Sequence, residues 1–327
     1  MELKPPRFVL LLLLAATLGV ARLCAAGAVE TQLDNDTNAF VPGAATTDRN
    51  YTFGTRTSWF AEPGAMPRWA NRVAGRIGGA GDEQHRRFAL AIGQEIYTPD
   101  AISNPGRIPD DRPYAGWLYG SALVASADEF RERSLEVRAG VVGPDARAEQ
   151  AQSWWHRSTG VRAPRGWRWQ LKNEPGLVAS VQERWRPRGY RRFADVVPHA
   201  RVSLGNVLTE AAAGLTLRLG WPLPDDFGPG PSTAPGTGGT AGERTRRAHL
   251  ELFARTEGRV VARDIFLDGN TFTGGPRVHR VPLVGESQVG CAVRWRSLGF
   301  RYQFSYTTQE FRERADSHEY GSFAFSF

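Results

Sequence analysis

From residue 29 onward the chain repeats with a period of two. Leu298, Phe300, Tyr302, Phe304 and Tyr306 fall on one face, with Arg301, Gln303 and Ser305 on the other. Val289, Cys291, Val293 and Trp295 alternate with Gly290, Ala292, Arg294 and Arg296; Leu215, Leu217 and Leu219 bracket Thr216 and Arg218. Such alternation marks strands with one apolar and one polar face. Two architectures use it. In a soluble sandwich the apolar faces meet in a shared core and the charges face water. In a transmembrane barrel the apolar face meets lipid and the polar face lines the lumen. Here the polar faces carry Arg and Glu on many strands, and the apolar faces end in Trp, Tyr and Phe, as an interfacial girdle does.

The C-terminus decides between them. Tyr320 to Phe327 alternates strictly, with Phe323, Phe325 and Phe327 on one face, and stops on Phe. It resembles the closing strand of bacterial outer-membrane barrels. The fold expected is all-β: a single antiparallel transmembrane β-barrel. Thirteen segments read as strands: 29–40, 50–60, 86–97, 115–125, 133–142, 176–186, 198–205, 212–220, 247–257, 259–267, 286–297, 298–308 and 316–327. Single-chain barrels have even strand numbers, so 12 is expected, with one segment in a loop. Residues 224–245, rich in Gly, Pro and Thr, read as a flexible loop.

The start of the chain reads as a secretory signal over residues 1–28. Lys4 and Arg7 precede the apolar run Phe8–Ala21, and Ala26-Gly27-Ala28 is a small-x-small cleavage site. That run is short of the ~18 residues of a membrane-spanning helix. With Cys24 in the leader, Cys291 stands alone, which excludes an intrachain disulfide and zinc sites built on paired cysteines. Losing Lys4, Arg7, Arg22 and Glu2 lowers the net charge from +7 to +5. A basic exported chain suits an anionic partner such as lipid phosphates. There is no P-loop, dinucleotide fingerprint, HExxH or G-x-S-x-G elbow.

One stretch breaks the period. Asp145 can cap a helix over Ala146–Thr159 with Gly160 after it, so a helix of about 145–160 is expected in the lumen or at the mouth. On it Gln152 and His156 are four apart and share a face. Either Gln152 or a neighbour orients His156 as a general base, or the histidine is an ordinary satisfied surface residue. Leu33-Asp34-Asn35-Asp36-Thr37-Asn38 is dense in hard oxygen donors, which suits Ca²⁺ or simply a polar turn. On the strand from Tyr51, Tyr51, Phe53, Thr55 and Thr57 share one face, and Thr52, Arg56 and Ser58 the other, toward the lumen. Arg112 either contacts a substrate phosphate or sits in a luminal ion pair.

Several motifs recur together: Asn35-Asp36, Asp48-Arg49 before Tyr51-Thr52-x-Gly54, Gln94-Glu95-Ile96-Tyr97-x-Pro99 and Asp111-Arg112-Pro113-Tyr114-Ala115-Gly116. Beyond them stand Gly143-Pro144-Asp145-Ala146, Gln152-x-x-x-His156 and Trp169-Gln170-Leu171-x-Asn173-Glu174. The sequence resembles the lipid A 3′-O-deacylases of the bacterial outer membrane. The resemblance implies a 12-stranded barrel with its active site in the barrel at the outer-leaflet side. It also implies Ca²⁺-dependent hydrolysis of the 3′-linked acyloxyacyl chain of lipid A. By that resemblance His156 is the catalytic histidine, with Gln152, Asn35, Asp36 and Thr52 beside it. Asn35, Asp36 and Thr52 are then the candidate metal ligands and Arg112 a candidate substrate contact. Lipopolysaccharide and the outer-membrane bilayer are the expected partners of a monomeric barrel, with no nucleic acid. A related barrel esterase or phospholipase, or a non-catalytic pore or structural barrel, is the alternative.

Overall fold

A computed structural model describes residues 26–36, 49–62, 64–78, 85–187, 193–230, 245–314 and 317–327. Twelve antiparallel strands close into one barrel, each pairing with its sequence neighbours. They are β1 Ala26–Asn35, β2 Asn50–Ala61, β3 Arg86–Thr98, β4 Ala115–Ala127, β5 Arg131–Val142 and β6 Glu174–Trp185. β7 Ala194–Gly205, β8 Leu208–Gly220, β9 Thr245–Asp264, β10 Leu283–Arg296, β11 Leu298–Thr307 and β12 His318–Ser326 complete the ring. Three helices lie between strands: α1 Arg68–Gly78, α2 Ala148–Thr159 and the single turn α3 Ile265–Asp268. No helix among the described residues is long and apolar enough to cross a membrane. The signal segment expected over 1–28 lies outside the described residues up to residue 25, and β1 begins at Ala26.

The aromatic C-terminus closes the ring. Val29 and Phe327 exchange both backbone hydrogen bonds at 3.0 Å, and Thr31 pairs with Phe325 and Leu33 with Phe323. The thirteenth expected segment does not loop out. Segments 247–257 and 259–267 run on through Gly258 as one 20-residue strand, β9, because Gly258 keeps its register with Ala213 and Gly285.

Which face is buried separates a barrel from a sandwich. Leu177, Val181, Leu204, Leu217, Leu252 and Val293 are exposed on the outside, whereas Arg56, Glu95, Glu136, Arg201, Arg255 and Glu257 are buried inside. Arg56 meets Glu136 at 2.6 Å and Arg201 meets Glu257 at 3.0 Å. Ionised side chains leave water only when paired in this way. An apolar exterior around a charged interior fits lipid outside, not a core inside.

The tight turns at 128–130 and 297, the connections 62–85 and 221–244, the start of β1 and the C-terminus share one end of the barrel; the connections 99–114, 143–173, the longest, and 265–282 share the other. The long-loop end of such a barrel is the extracellular one. At the opposite end the segment after β8 folds inward. Asp226 accepts from the Arg218 guanidinium at 2.5 Å, and Arg184 donates to the Gly228 carbonyl at 2.8 Å. Gly228 has φ +75° and packs so closely on Arg218 that a Cβ would lie 2.7 Å from its Nε. Residues 224–230 of the expected flexible loop are thus a fixed luminal plug, and the stretch 231–244 lies outside the described residues.

Burial would raise the Asp226 carboxyl, but Arg218, Arg294, the Gly228 N–H and Arg87 together outweigh it and hold the group below its ordinary value. The stabilisation is therefore present above the unfolded carboxylate pKa and is lost as pH falls through the lowered folded value. Asp226→Ala removes the shortest of the Arg218 ion pairs and leaves it with Glu251 at 2.7 Å and Asp195 at 3.6 Å. It is expected to lower stability at neutral pH by about 3 kcal/mol, read from the midpoint of denaturant unfolding; an unchanged midpoint would exclude a structural plug.

Candidate functional site

The site is built on the outside of the wall. In an antiparallel ladder directly paired residues share a face. Asn35 pairs with Phe53, Phe53 with Ile96 and Ile96 with Gly116, so one outward row crosses β1 to β4 at the long-loop end. α2 lies against this row. Ala148 packs with Ile96, Ile102, Tyr114 and Trp167 in a buried cluster that Phe53 and Ala151 border. Gly116 makes that approach possible: a Cβ there would sit 2.4 Å from Ala148 Cβ and 3.2 Å from Ala146 Cβ. Gln94, also outward, donates to the Ala146 carbonyl at 2.6 Å.

The helix runs across the strands. Ala148 sits over β4, and the Trp155 ring lies 6.3 Å from that of Phe53 on β2. Eight residues of helix rise ~12 Å, and neighbouring strands are ~4.8 Å apart. The His156 end of the helix therefore lies toward β2, which carries Thr52 and pairs with β1. The expected helix is present at the mouth, on its outer side. The same fact sets the candidate residues of this helix, expected in the barrel, on the outer face of the wall.

His156 is 2% exposed, and its Nδ1 lies 2.5 Å from the Arg162 carbonyl oxygen. A carbonyl only accepts, so Nδ1 carries a proton, and in the neutral form of that tautomer the lone pair lies on Nε2. Gly160, at φ +74°, turns the chain back so that residue 162 can reach the ring, while the Val161 N–H caps the His156 carbonyl at 3.1 Å. Gln152 does not occupy that orienting position. Its Oε1 accepts from Trp167 Nε1 at 2.9 Å, and its Nε2 is buried with no hydrogen-bond partner among the described residues. Trp154 and Trp155 are 39% and 45% exposed on the outer side.

The β1–β2 end supplies oxygens. Tyr51 pairs with Tyr97 and Phe53 with Ile96, which leaves Thr52 as the extra residue of a bulge. Thr52 Oγ1 bonds the Thr98 hydroxyl at 2.6 Å, on the outward face that Thr98 shares with Ile96. This corrects the expected faces. Tyr51 turns into the lumen, where its hydroxyl donates to Asp34 at 2.7 Å, and Thr52 turns out. β1 ends at Asn35, so Asp36 is released from strand alternation. Asp36 is fully buried, its N–H donates to the Thr52 carbonyl at 3.2 Å, and its Oδ2 accepts from the Arg49 N–H at 2.6 Å.

Asn35, Asp36 and Thr52 are thus neighbours at one corner of the backbone ladder and carry an amide oxygen, a carboxylate and a hydroxyl. These are hard donors of the kind Ca²⁺ takes. No group of three or more His, Cys, Asp or Glu among the described residues could hold a metal. A cation at this corner would have one carboxylate and neutral oxygens, a low-charge set of the kind found at weak extracellular Ca²⁺ sites.

Arg112 is elsewhere. It is 1% exposed, points into the mouth, donates to Glu310 at 2.6 Å and lies over the Tyr97 ring at 5.3 Å. Burial would raise Glu310, but Arg112 and Arg259 outweigh it and hold it below the usual carboxylate range. The ion pair is the reading the structure supports; a guanidinium so engaged is not placed to grip a phosphate at α2. Sequence reasoning missed Gly116, Thr98, Trp167 and the Arg162 carbonyl. Of these only Gly116 left a signal, since a glycine inside a strand marks a close backbone approach.

A sequence model described as "Outer membrane protein LpxR" matches residues 8–327. No curated protein matches the chain. Among solved structures, LpxR from Salmonella typhimurium superposes with a TM-score of 0.73 at 22% identity, covering 92% of this chain and 99% of that one. The Pseudomonas putida toluene transporter TodX gives a TM-score of 0.37 at 10% identity, covering 91% and 88%. BamA from Haemophilus ducreyi gives 0.29 at 10%, covering 92% and 70%.

Proposed function

Since this chain belongs to the LpxR family of bacterial outer-membrane proteins, we propose that it is a lipid A 3′-O-deacylase acting from the outer wall of its barrel. The observation that carries this reading is a buried histidine, proton fixed on Nδ1, on a helix clamped to the lipid-facing side of the wall. In the reaction His156 Nε2 takes a proton from water as its oxygen attacks the ester carbonyl. The Arg162 carbonyl keeps accepting from Nδ1 and so stabilises the imidazolium that forms. When the tetrahedral carbon expels the sugar 3′ oxygen, His156 returns the proton to it, leaving a free hydroxyl and a carboxylic acid.

Gln152 shares the helix face of His156, and Trp167 fixes its carbonyl end. Its unused N–H groups are directed to the ester oxygen, where negative charge develops. Asn35, Asp36 and Thr52 would hold Ca²⁺, which supplies a Lewis acid for the same oxygen. Trp154 and Trp155 present apolar surface to the acyl chains, and the plugged lumen takes no part.

Mass spectrometry of lipid A tests this. Detergent-solubilised protein with lipopolysaccharide and Ca²⁺ is expected to remove one 3′-linked acyloxyacyl unit, and excess chelator to abolish the change. An unchanged spectrum from folded protein would overturn the assignment; fatty acid release from glycerophospholipid would redirect it to a phospholipase.

A further inference from the structure

On the far side of the barrel, a cavity of about 570 Å³ opens at the long-loop ends of β9 and β10. Arg263, Arg277, Arg280, Arg312, His279 and Asp268 line it, with Ala262 and Val278. It is a built site. Arg263 is held by the Asn206 and Gly269 carbonyls at 2.8 and 3.0 Å, and Arg280 by Asp268 at 3.1 Å and the Ala262 carbonyl at 2.8 Å. Leu267, Val278 and Phe311 form a buried floor, and a bridge from Arg280 to Phe311 ties the two loops together.

The charges do not cancel. Asp268 answers Arg280, and Glu313 is engaged by the His279 ring at 2.5 Å and its N–H at 3.0 Å. Arg277 and Arg312 are exposed and form no ion pair among the described residues. Arg263 bonds only neutral oxygens. Three guanidiniums that no carboxylate pairs therefore line the cavity, whose own carboxylate, Asp268, is taken by Arg280, a lining that suits a phosphomonoester carrying about −1.5 to −2 charges.

The level of the cavity names the carrier. Ala262 lies two residues beyond Val260, which pairs with Leu283. Val260 is 58% and Leu283 67% exposed, so they are the last lipid-facing pair before the rim. Basic side chains directly above an apolar belt stand at headgroup height. β10 and β9 are three and four strands from β1 around the ring, so this site is separate from α2.

We propose that this cavity binds the phosphorylated headgroup of a glycolipid in the surrounding outer leaflet. The inference uses only the membrane setting and stands whether or not the barrel hydrolyses lipid A. Native mass spectrometry on full-length His156→Ala protein tests it without turnover, with bis-phosphorylated lipid A, fully dephosphorylated lipid A and inorganic phosphate as probes. Adding Arg277→Gln and Arg312→Gln is expected to weaken one bound lipid ~10-fold or more, in a barrel that still folds because both residues are exposed. Dephosphorylated lipid A is expected to show the same loss on the unsubstituted cavity, with phosphate competing only at millimolar concentration. Equal retention of both lipids, or no effect of removing the arginines, would overturn the proposal. Phosphate that binds as tightly as the lipid would make this a free-anion site and overturn it as well.

Discussion

His156→Ala is expected to leave a folded barrel whose lipid A hydrolysis falls by ~10²–10⁴-fold or more. The two halves of that result have different physical sources. The barrel is closed by twelve ladders that do not include α2, so its heat-modifiable migration on a gel is expected to persist. In the proposed reaction the activity depends on a lone pair at Nε2 that alanine lacks. His156→Asn sharpens the test: its side-chain N–H can still donate to the Arg162 carbonyl, but its amide oxygen is a far weaker base. Both variants are expected to be inactive. A fully active alanine variant would remove the histidine from the reaction and leave a different group to be found on the wall.

The second large effect is expected from Gly116→Val, a residue that touches no substrate. Its new side chain would collide with Ala148 and Ala146, whose Cβ atoms lie 2.4 and 3.2 Å from the first added carbon. The wall is hydrogen-bonded on both sides and cannot yield, so α2 must lift. A displacement of about 1 Å at a reacting group costs ~10²-fold in rate, and a comparable fall in kcat is expected with the barrel intact. Gly120→Val is the control. It faces outward from the same strand, and its Cβ would meet only the Ala91 carbonyl, at 3.9 Å. If both variants lose activity equally, the strand and not the helix contact is responsible.

Much of the architecture was legible because it follows from alternation alone. Leu298 to Tyr306 and Tyr320 to Phe327 each fix which side of a strand meets lipid, and the register pairs them as the pattern requires. Alternation is also where legibility ended. A bulge adds one residue without any mark in a single sequence, so Thr52 was assigned inward and Tyr51 outward, the reverse of what the register gives. Gly258 resembled a turn, but backbone pairing on both sides carries β9 through it. The side of the wall taken by α2 was hidden for another reason. Gln152 and His156 give its buried face a polar look that suits a lumen, whereas the small residues Ala148 and Ala151 let that face lie against Gly116 and Ile96. Arg112 was ambiguous by chemistry, since a guanidinium binds phosphate and carboxylate alike.

Because α2 clasps the barrel from outside, the proposed reaction has a lipid reach His156 by sliding sideways within its own leaflet. Encounter then takes place in two dimensions, and the quantity that fills the site is the mole fraction of substrate in the surface, not its amount per litre. The acyl chains stay solvated by their neighbours throughout, so the protein has only the ester to desolvate. A barrel used in this way is a post that holds a reactive edge at a fixed depth, and its interior is free to be sealed.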